Sequence, residues 1–351
     1  MNDSLLGFLF WMLGHVTLST GILLPKLKCF LPLSLLFLVT SYLVKPDTFD
    51  LIPYLEYFKN PAGFEYLFDF CSKILNQYGL DSMSILIFWK LLILLILVLT
   101  AFVFSIQKWS HTILLILASP FFFLGSQNVL RQAVSACFIF LGIAFFIEKK
   151  SYSIGLICFI LSAFFHTSGV FFASLFLLSF VLSNLVNVNI ILKLFLGLLV
   201  GVGLLLIALY APIESGLIQN YFHRDIRWDV SINRTPSVLK ALAIISVFGY
   251  SEFVLNGKVL THAQTSIRKF RAYLLAFCVV FLMQSEFFSR LLFFYYGIEI
   301  FLFILIFQTL NKSRAVRLML AINVLIYGFL PNVVTILFGG AQGKGWSIWE
   351  R

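Results

Sequence analysis

Residues 152–182 read YSIGLICFILSAFFHTSGVFFASLFLLSFVL, 31 residues without one Asp, Glu, Lys or Arg. A helix crosses the hydrocarbon core of a bilayer with about 20 apolar residues, at about 1.5 Å of rise each. The run is therefore too long for one crossing. Its polar trio His166-Thr167-Ser168 divides it into two short helices, 152–166 and 168–184, which return the chain to the side it came from.

Working outward with the same yardstick gives spans at 5–24, 29–44, 84–106, 110–126, 127–147, 190–211, 237–255, 271–287, 290–310 and 315–338. The pair 110–126 and 127–147 would meet in a tight turn at Gly125-Ser126. The expected fold class is all-α: a polytopic membrane protein of about 12 transmembrane helices. It forms one integral membrane domain over 1–351, with outer loops at 45–83 and 212–236.

Composition points the same way. Charged residues make up 11% of the chain and the mean hydropathy is +1.00, whereas a soluble domain carries roughly 25% charge. The remaining polar surface is too small to cover a water-soluble globule. Five Cys with no CxxC spacing exclude a disulfide framework and a cysteine metal site, and no metal or cofactor is expected. The first apolar run, Phe8 to Leu24, has no basic segment before it, so no cleavable signal is expected.

A net charge of +10 would suggest nucleic acid in a soluble protein. Here the charges alternate by loop, as cytoplasmic enrichment of Lys and Arg requires, and no nucleic-acid partner is expected. With the N-terminus outside, the inner loops hold Lys26, Lys28, Lys108, Lys149, Lys150, Lys193, Lys258, Arg268, Lys269, Arg271, Lys312, Arg314 and Arg317 against one acid, Glu148. The outer loop 45–83 holds three Lys against Asp47, Asp50, Glu56, Glu65, Asp69 and Asp81. Its central stretch, Leu51 to Tyr78, is amphipathic and suits the interface plane.

Charged groups inside spans cost roughly 2.5–3.5 kcal/mol each on insertion scales, so the placement of charged and polar residues there needs a reason. Asn128, Arg131, Gln132 and Ser135 share one helix face at the outer end of a span. One reading is an Arg snorkelling to headgroups, with its neighbours as interhelical glue. The other is an anion site, since guanidinium binds phosphate through two hydrogen bonds. His166 sits at an outer turn, where it caps the turn or does chemistry. Glu286 and Arg290, four apart, form a structural ion pair or part of a site at the next outer junction, ahead of Tyr295. Glu299 lies roughly 13 Å deeper than Arg290, where a carboxylate must be paired, protonated or wet. Glu252 and Lys90, nearer span ends, read as snorkelling or paired. No Walker A loop, GxGxxG or HExxH motif is present, so energy must come from the substrate or a gradient.

The order of these features resembles the EpsG family of bacterial polysaccharide polymerases, relatives of the Wzy-type O-antigen and capsule polymerases. Four pieces carry the likeness: Asp50, Tyr54 and Gly63-Phe64-Glu65-Tyr66-Leu67; Leu130-Arg131-Gln132-Ala133; Ala163-Phe164-Phe165-His166-Thr167-Ser168; and Ser289-Arg290 with Tyr295-Tyr296. The resemblance implies an oligosaccharide repeat unit on undecaprenyl diphosphate as substrate, in the lipid of the bacterial inner membrane. It implies a flippase and a chain-length regulator as partners. Arg131, Gln132, Asn128, Arg290, Arg224, Arg227 and Tyr295 would then bind diphosphate or glycan, and His166, Glu286, Asp50 or Glu65 would serve as base. Other readings stay open: a flippase or other transporter, another lipid-donor glycosyltransferase or ligase, and a structural membrane subunit.

The charge pattern makes a topology prediction. Asn60→Cys and Ser231→Cys, introduced one at a time, should both react with an impermeant thiol reagent in intact spheroplasts. Protection of either site until lysis would overturn the orientation.

Overall fold

Hydrocarbon offers backbone N–H and C=O groups no partner, so a chain this apolar must satisfy them within helices or a closed barrel. It does so in helices. The computed structural model describes residues 3–26, 29–44, 51–127, 129–185, 199, 235–283 and 285–338, and among them there is no strand. The expected span 190–211 and loop 212–236, with Arg224 and Arg227, lie essentially outside the described residues, as do Asp50 and Asn128.

The chain begins with an antiparallel pair, α1 (Asp3–Leu23) and α2 (Phe30–Val44). Two short helices follow, α3 (Leu51–Lys59) and α4 (Tyr66–Gln77), and then the long α5 (Ser82–Val103). The expected span 110–126 is broken into α6 (Trp109–Leu117) and α7 (Pro120–Gln127), bent by 57°. Pro120 is the cause: it has no N–H to continue the ladder and turns Ser119 away from helical geometry. The Ser119 hydroxyl then caps the new helix, accepting the Phe122 N–H at 3.1 Å. Gly125-Ser126 is accordingly helix interior rather than the expected turn.

Next come α8 (Leu130–Ala144), extended by a π-helical turn at Phe145–Lys149, then α9 (Tyr152–Phe165) and α10 (Ser168–Leu185). The break between α9 and α10 falls at His166-Thr167, where the sequence places it. Helices α8 and α9 touch backbone to backbone at Gly142 and Gly155: a Cβ on Gly142 would stand 3.0 Å from the Gly155 carbonyl oxygen. Small residues allow such close approach where helices pack in lipid. The last described helices are α11 (Thr235–Leu255), α12 (His262–Val280), α13 (Ser285–Leu310) and α14 (Arg314–Phe338), with a 3₁₀ turn at Phe281–Met283. Helix α13 is the central column, 94% buried over its apolar window.

Among the described residues, four helices are long and apolar enough to cross a membrane, five if the bent α6–α7 pair is one span. Four shorter apolar helices accompany them: Leu9–Leu23, Phe30–Tyr42, Tyr152–Phe165 and Ser168–Val181. Length and composition thus carry four or five crossings, and the larger number read from hydropathy is not established by them.

Arg271 corrects the loop assignment. Placed in an inner loop by hydropathy, it lies inside α12 and is fully buried. The helix starts earlier because Thr261 and Gln264 form a reciprocal capping box ahead of its charged first turns. Arg271 Nη2 donates to Glu252 of α11 at 2.5 Å, and Nη1 donates to Glu299 of α13 at 3.0 Å. Arg268 Nε also donates to Glu252, at 2.7 Å. Tyr295 and Tyr327 donate their hydroxyls to Glu299. One ionic knot therefore ties α11, α12, α13 and α14 together.

Removing one partner of a buried pair strands the other charge, a loss of about 3–5 kcal/mol. Arg271→Met should lower the melting temperature of the detergent-purified protein steeply. Adding Glu299→Gln should recover part of the loss, because the stranded carboxylate disappears. A double variant no more stable than Arg271→Met would contradict this account.

Candidate functional site

The α3–α4 hairpin is anchored by aromatics. Phe68 is buried and stacks on Trp89 of α5 with centroids 4.5 Å apart, and Trp89 Nε1 donates to Ser72 Oγ at 3.2 Å. Trp89 also meets Phe165, the last residue of α9, edge-on at 5.8 Å. The loop 60–65 between α3 and α4 is thereby held near the end of α9. Gly63 turns it with φ +95°, a conformation side chains resist. Glu65 then occupies the N-cap of α4, yet its carboxylate makes no capping bond.

That carboxylate is engaged elsewhere. Arg131, in the first turn of α8, donates from Nη1 to Glu65 Oε2 at 2.5 Å. The same guanidinium lies 3.6 Å from the centroid of the Phe64 ring, a cation–π contact. Tyr54 interacts with Arg131 as well. The other Glu65 oxygen, Oε1, stands 3.7 Å from His166 Nε2. The pieces at 63–67, 130–133 and 163–168, far apart in sequence, thus meet at one point.

The hydrogen bonds of His166 fix its tautomer. Its Nδ1 accepts the Ser168 backbone N–H at 3.1 Å and lies 2.7 Å from the Ser168 hydroxyl. A backbone N–H only donates, so Nδ1 carries the lone pair and the neutral ring holds its proton on Nε2. Nε2 faces Glu65. Burial first, and then the charges of Arg131 and Arg290, hold this imidazole well below the usual histidine range, at about 3. Arg290 near the start of α13 thus acts electrostatically on the same site.

Two donors here have no acceptor. Arg131 Nε and Gln132 Nε2 are buried without a hydrogen-bond partner among the described residues. Arg271 Nε in the ionic knot is likewise buried without a partner among the described residues, so an orphaned guanidinium nitrogen does not by itself mark a ligand site. Ser135 is spent differently: its hydroxyl lies 2.8 Å from Ser162 Oγ and joins α8 to α9. Interhelical glue is therefore the right reading for Ser135. Among the described residues no group of three His, Cys, Asp or Glu could hold a metal ion.

The remaining sequence candidates scatter. Tyr295 is fully buried and donates to Glu299, so it belongs to the ionic knot and not to the Arg131 cluster. Glu286 lies one turn before Arg290 on α13, with its side chain outside the described residues. Asp50, Asn128, Arg224 and Arg227 lie outside them entirely. The sequence reading missed Asp69 as a site residue. Its carboxylate accepts the Gly63 and Phe64 N–H groups and the Tyr57 hydroxyl. Burial first, then the bond to Asp69, raises the Tyr57 hydroxyl well above the usual tyrosine range, so it stays a donor.

The EpsG family model matches residues 26–344, nearly the whole chain. The chain belongs to the EpsG family, which is associated with polysaccharide polymerases. No curated protein and no solved structure matches it.

The His166 environment predicts a pH dependence of stability. The unfolded ring titrates near 6.5 and the folded one near 3, so between these values the unfolded state binds more protons. The contribution of neutral His166 is complete above 6.5 and falls as pH drops toward 3. Melting temperatures of wild type and His166→Gln, compared from pH 7.5 to 4, should show a wild-type decline that the variant lacks in part. Parallel curves would show that the ring is not held neutral.

Proposed function

We propose that this EpsG-family chain polymerises oligosaccharide repeat units carried on undecaprenyl diphosphate at the periplasmic face of the bacterial inner membrane. The observation that carries the reading is the convergence of Arg131, Glu65 and His166, with two buried donors still lacking acceptors. A diphosphate supplies acceptor oxygens in plenty and suits a bidentate guanidinium. Arg290 adds a second positive charge for the leaving group.

The chemistry then runs as follows. Diphosphate oxygens take the Arg131 fork and release Glu65 from its ion pair. A sugar hydroxyl of the acceptor repeat attacks the anomeric carbon of the donor glycan. The bond from that carbon to the diphosphate breaks, and undecaprenyl diphosphate leaves with the bonding electrons. The hydroxyl proton passes to Glu65, freed from its ion pair to act as base. His166 with its proton on Nε2 is suited to donate a hydrogen bond to a sugar or phosphate oxygen. It therefore ranks behind Glu65 as the base. The donor's own diphosphate supplies the driving force, so neither a sugar nucleotide nor a cofactor enters.

A flippase would be expected to carry its charges along a central cavity. Here the central charges, Arg271 and Glu299, are fully buried and bonded to each other, which favours a polymerase over a transporter. A ligase or another lipid-donor glycosyltransferase would share the diphosphate site. Deleting the gene and running the surface glycan on a gel separates them. Single-repeat chains support polymerisation, into O-antigen, capsule or exopolysaccharide; loss of all glycan contradicts it.

Arg131→Lys keeps the charge and loses the fork. With lipid-linked repeats and purified protein, chain growth should fall about a hundredfold, the cost of one lost transition-state donor, at normal expression. Full-length chains at the normal rate would defeat the diphosphate assignment and restore snorkelling as the account of Arg131.

A further inference from the structure

We infer that Asp69 is a positioning residue, which holds Phe64 and Glu65 against Arg131 by folding the loop before α4. The reasoning starts from an unusual division of tasks. An N-cap side chain ordinarily turns back to the first N–H groups of its own helix. Glu65 is the N-cap of α4 and makes no such bond. Asp69, one turn later, gathers the loop instead. Its Oδ2 accepts the Gly63 N–H at 3.0 Å, and both oxygens accept the Phe64 N–H, at 3.2 and 3.3 Å. Its Oδ1 also accepts the Tyr57 hydroxyl at 2.5 Å, which ties the loop to α3. The Tyr57 ring packs on Phe64 with centroids 4.3 Å apart.

Three donors from two elements thus converge on one carboxylate. Their joint effect is to fix the direction of two consecutive side chains. Phe64 presents its face to the Arg131 guanidinium at 3.6 Å, and Glu65 reaches Arg131 Nη1 at 2.5 Å. A group near a reacting centre loses effect when displaced by about 1 Å. A loop of this kind, with a glycine at positive φ, has no regular backbone ladder to hold it there. Asp69 touches none of the proposed reacting atoms. Its effect on chemistry passes through its neighbours. The functional half of the inference rests on the polymerase reading; the geometric half does not.

The test reads geometry first and activity second. In a chain with Cys29 and Cys71 replaced by Ser, the three remaining cysteines are buried. Glu65→Cys and Arg131→Cys are added, and a short bis-maleimide reports their proximity. With the ion pair gone, the loop's place depends on Asp69. Asp69→Asn should reduce cross-linking at least about threefold, while oxidative cross-linking of Ser135→Cys to Ser162→Cys stays unchanged and certifies the α8–α9 packing. In the otherwise native protein, Asp69→Asn should slow chain growth about tenfold, yet reduce the residual rate of Glu65→Gln less than about twofold, as coupled neighbours do. Tyr57→Phe, which removes one donor and leaves the carboxylate, should give a smaller effect of the same kind. Undiminished 65–131 cross-linking in Asp69→Asn overturns the inference whatever the activity. Equal slowing in both backgrounds overturns it too, because Asp69 would then act on something other than Glu65. Failure of the polymerase reading would appear separately, as no chain growth in wild type with cross-linking behaving as expected.

Discussion

A charge taken out of water must meet an opposite charge or a full set of hydrogen bonds, and in this protein that demand selects which helices meet. Few residues are charged, and those at membrane depth are expensive. Two arginines act as addresses for other elements. Arg131 on α8 addresses Glu65 at the start of α4. Arg271 on α12 addresses Glu252 on α11 and Glu299 on α13. Apolar packing brings helices together without much preference among registers, since Phe against Phe is acceptable in many alignments. Ionic pairs of this kind accept few.

The same constraint explains what could be read from the sequence. Charged and polar residues stand out against an apolar background, so Arg131, Gln132, His166 and Arg290 were visible as candidates. The break at His166-Thr167-Ser168 was legible because the apolar run on either side exceeds one span. Glu65 was harder. In a topology count it is one acid among six in the loop 45–83, equivalent to Asp69 and Glu56. Only the neighbouring Gly63 and Phe64 singled it out, through the family resemblance. Asp69 had no such neighbour, and its role depends on a loop fold that alternation of charge does not encode.

Two placements change once the rise of a helix and its capping signals are counted. Hydropathy opens a span where charges stop, so Arg271 became a loop residue although Thr261 and Gln264 signalled a helix start well before it. The family resemblance sets Tyr295 beside Arg290 as a binding residue. Five residues of helix carry it about 7.5 Å deeper, into the reach of Glu299. The kink at Pro120 was legible in principle from the proline itself. Apolar length over residues 110–126 does not register it.

The two ionic clusters differ in a way that separates framework from chemistry. Side chains of Arg271 and Glu299 are 0% exposed, and Glu299 receives both tyrosine hydroxyls besides the guanidinium. Opening that knot would strand charges in an apolar interior, so it suits a permanent tie. The side chains of Arg131 and Glu65 keep 24% and 17% exposure. Among the described residues Arg131 Nε and Gln132 Nε2 have no acceptor, as Arg271 Nε has none in the knot, and His166 Nε2 faces the same carboxylate at 3.7 Å. An ion pair that can be reached from outside is better placed to exchange its carboxylate for another anion than one sealed from solvent. Pairing satisfies the membrane in both places. What separates the two is access: under the proposed function, the partly exposed pair at Arg131 is the one a substrate reaches.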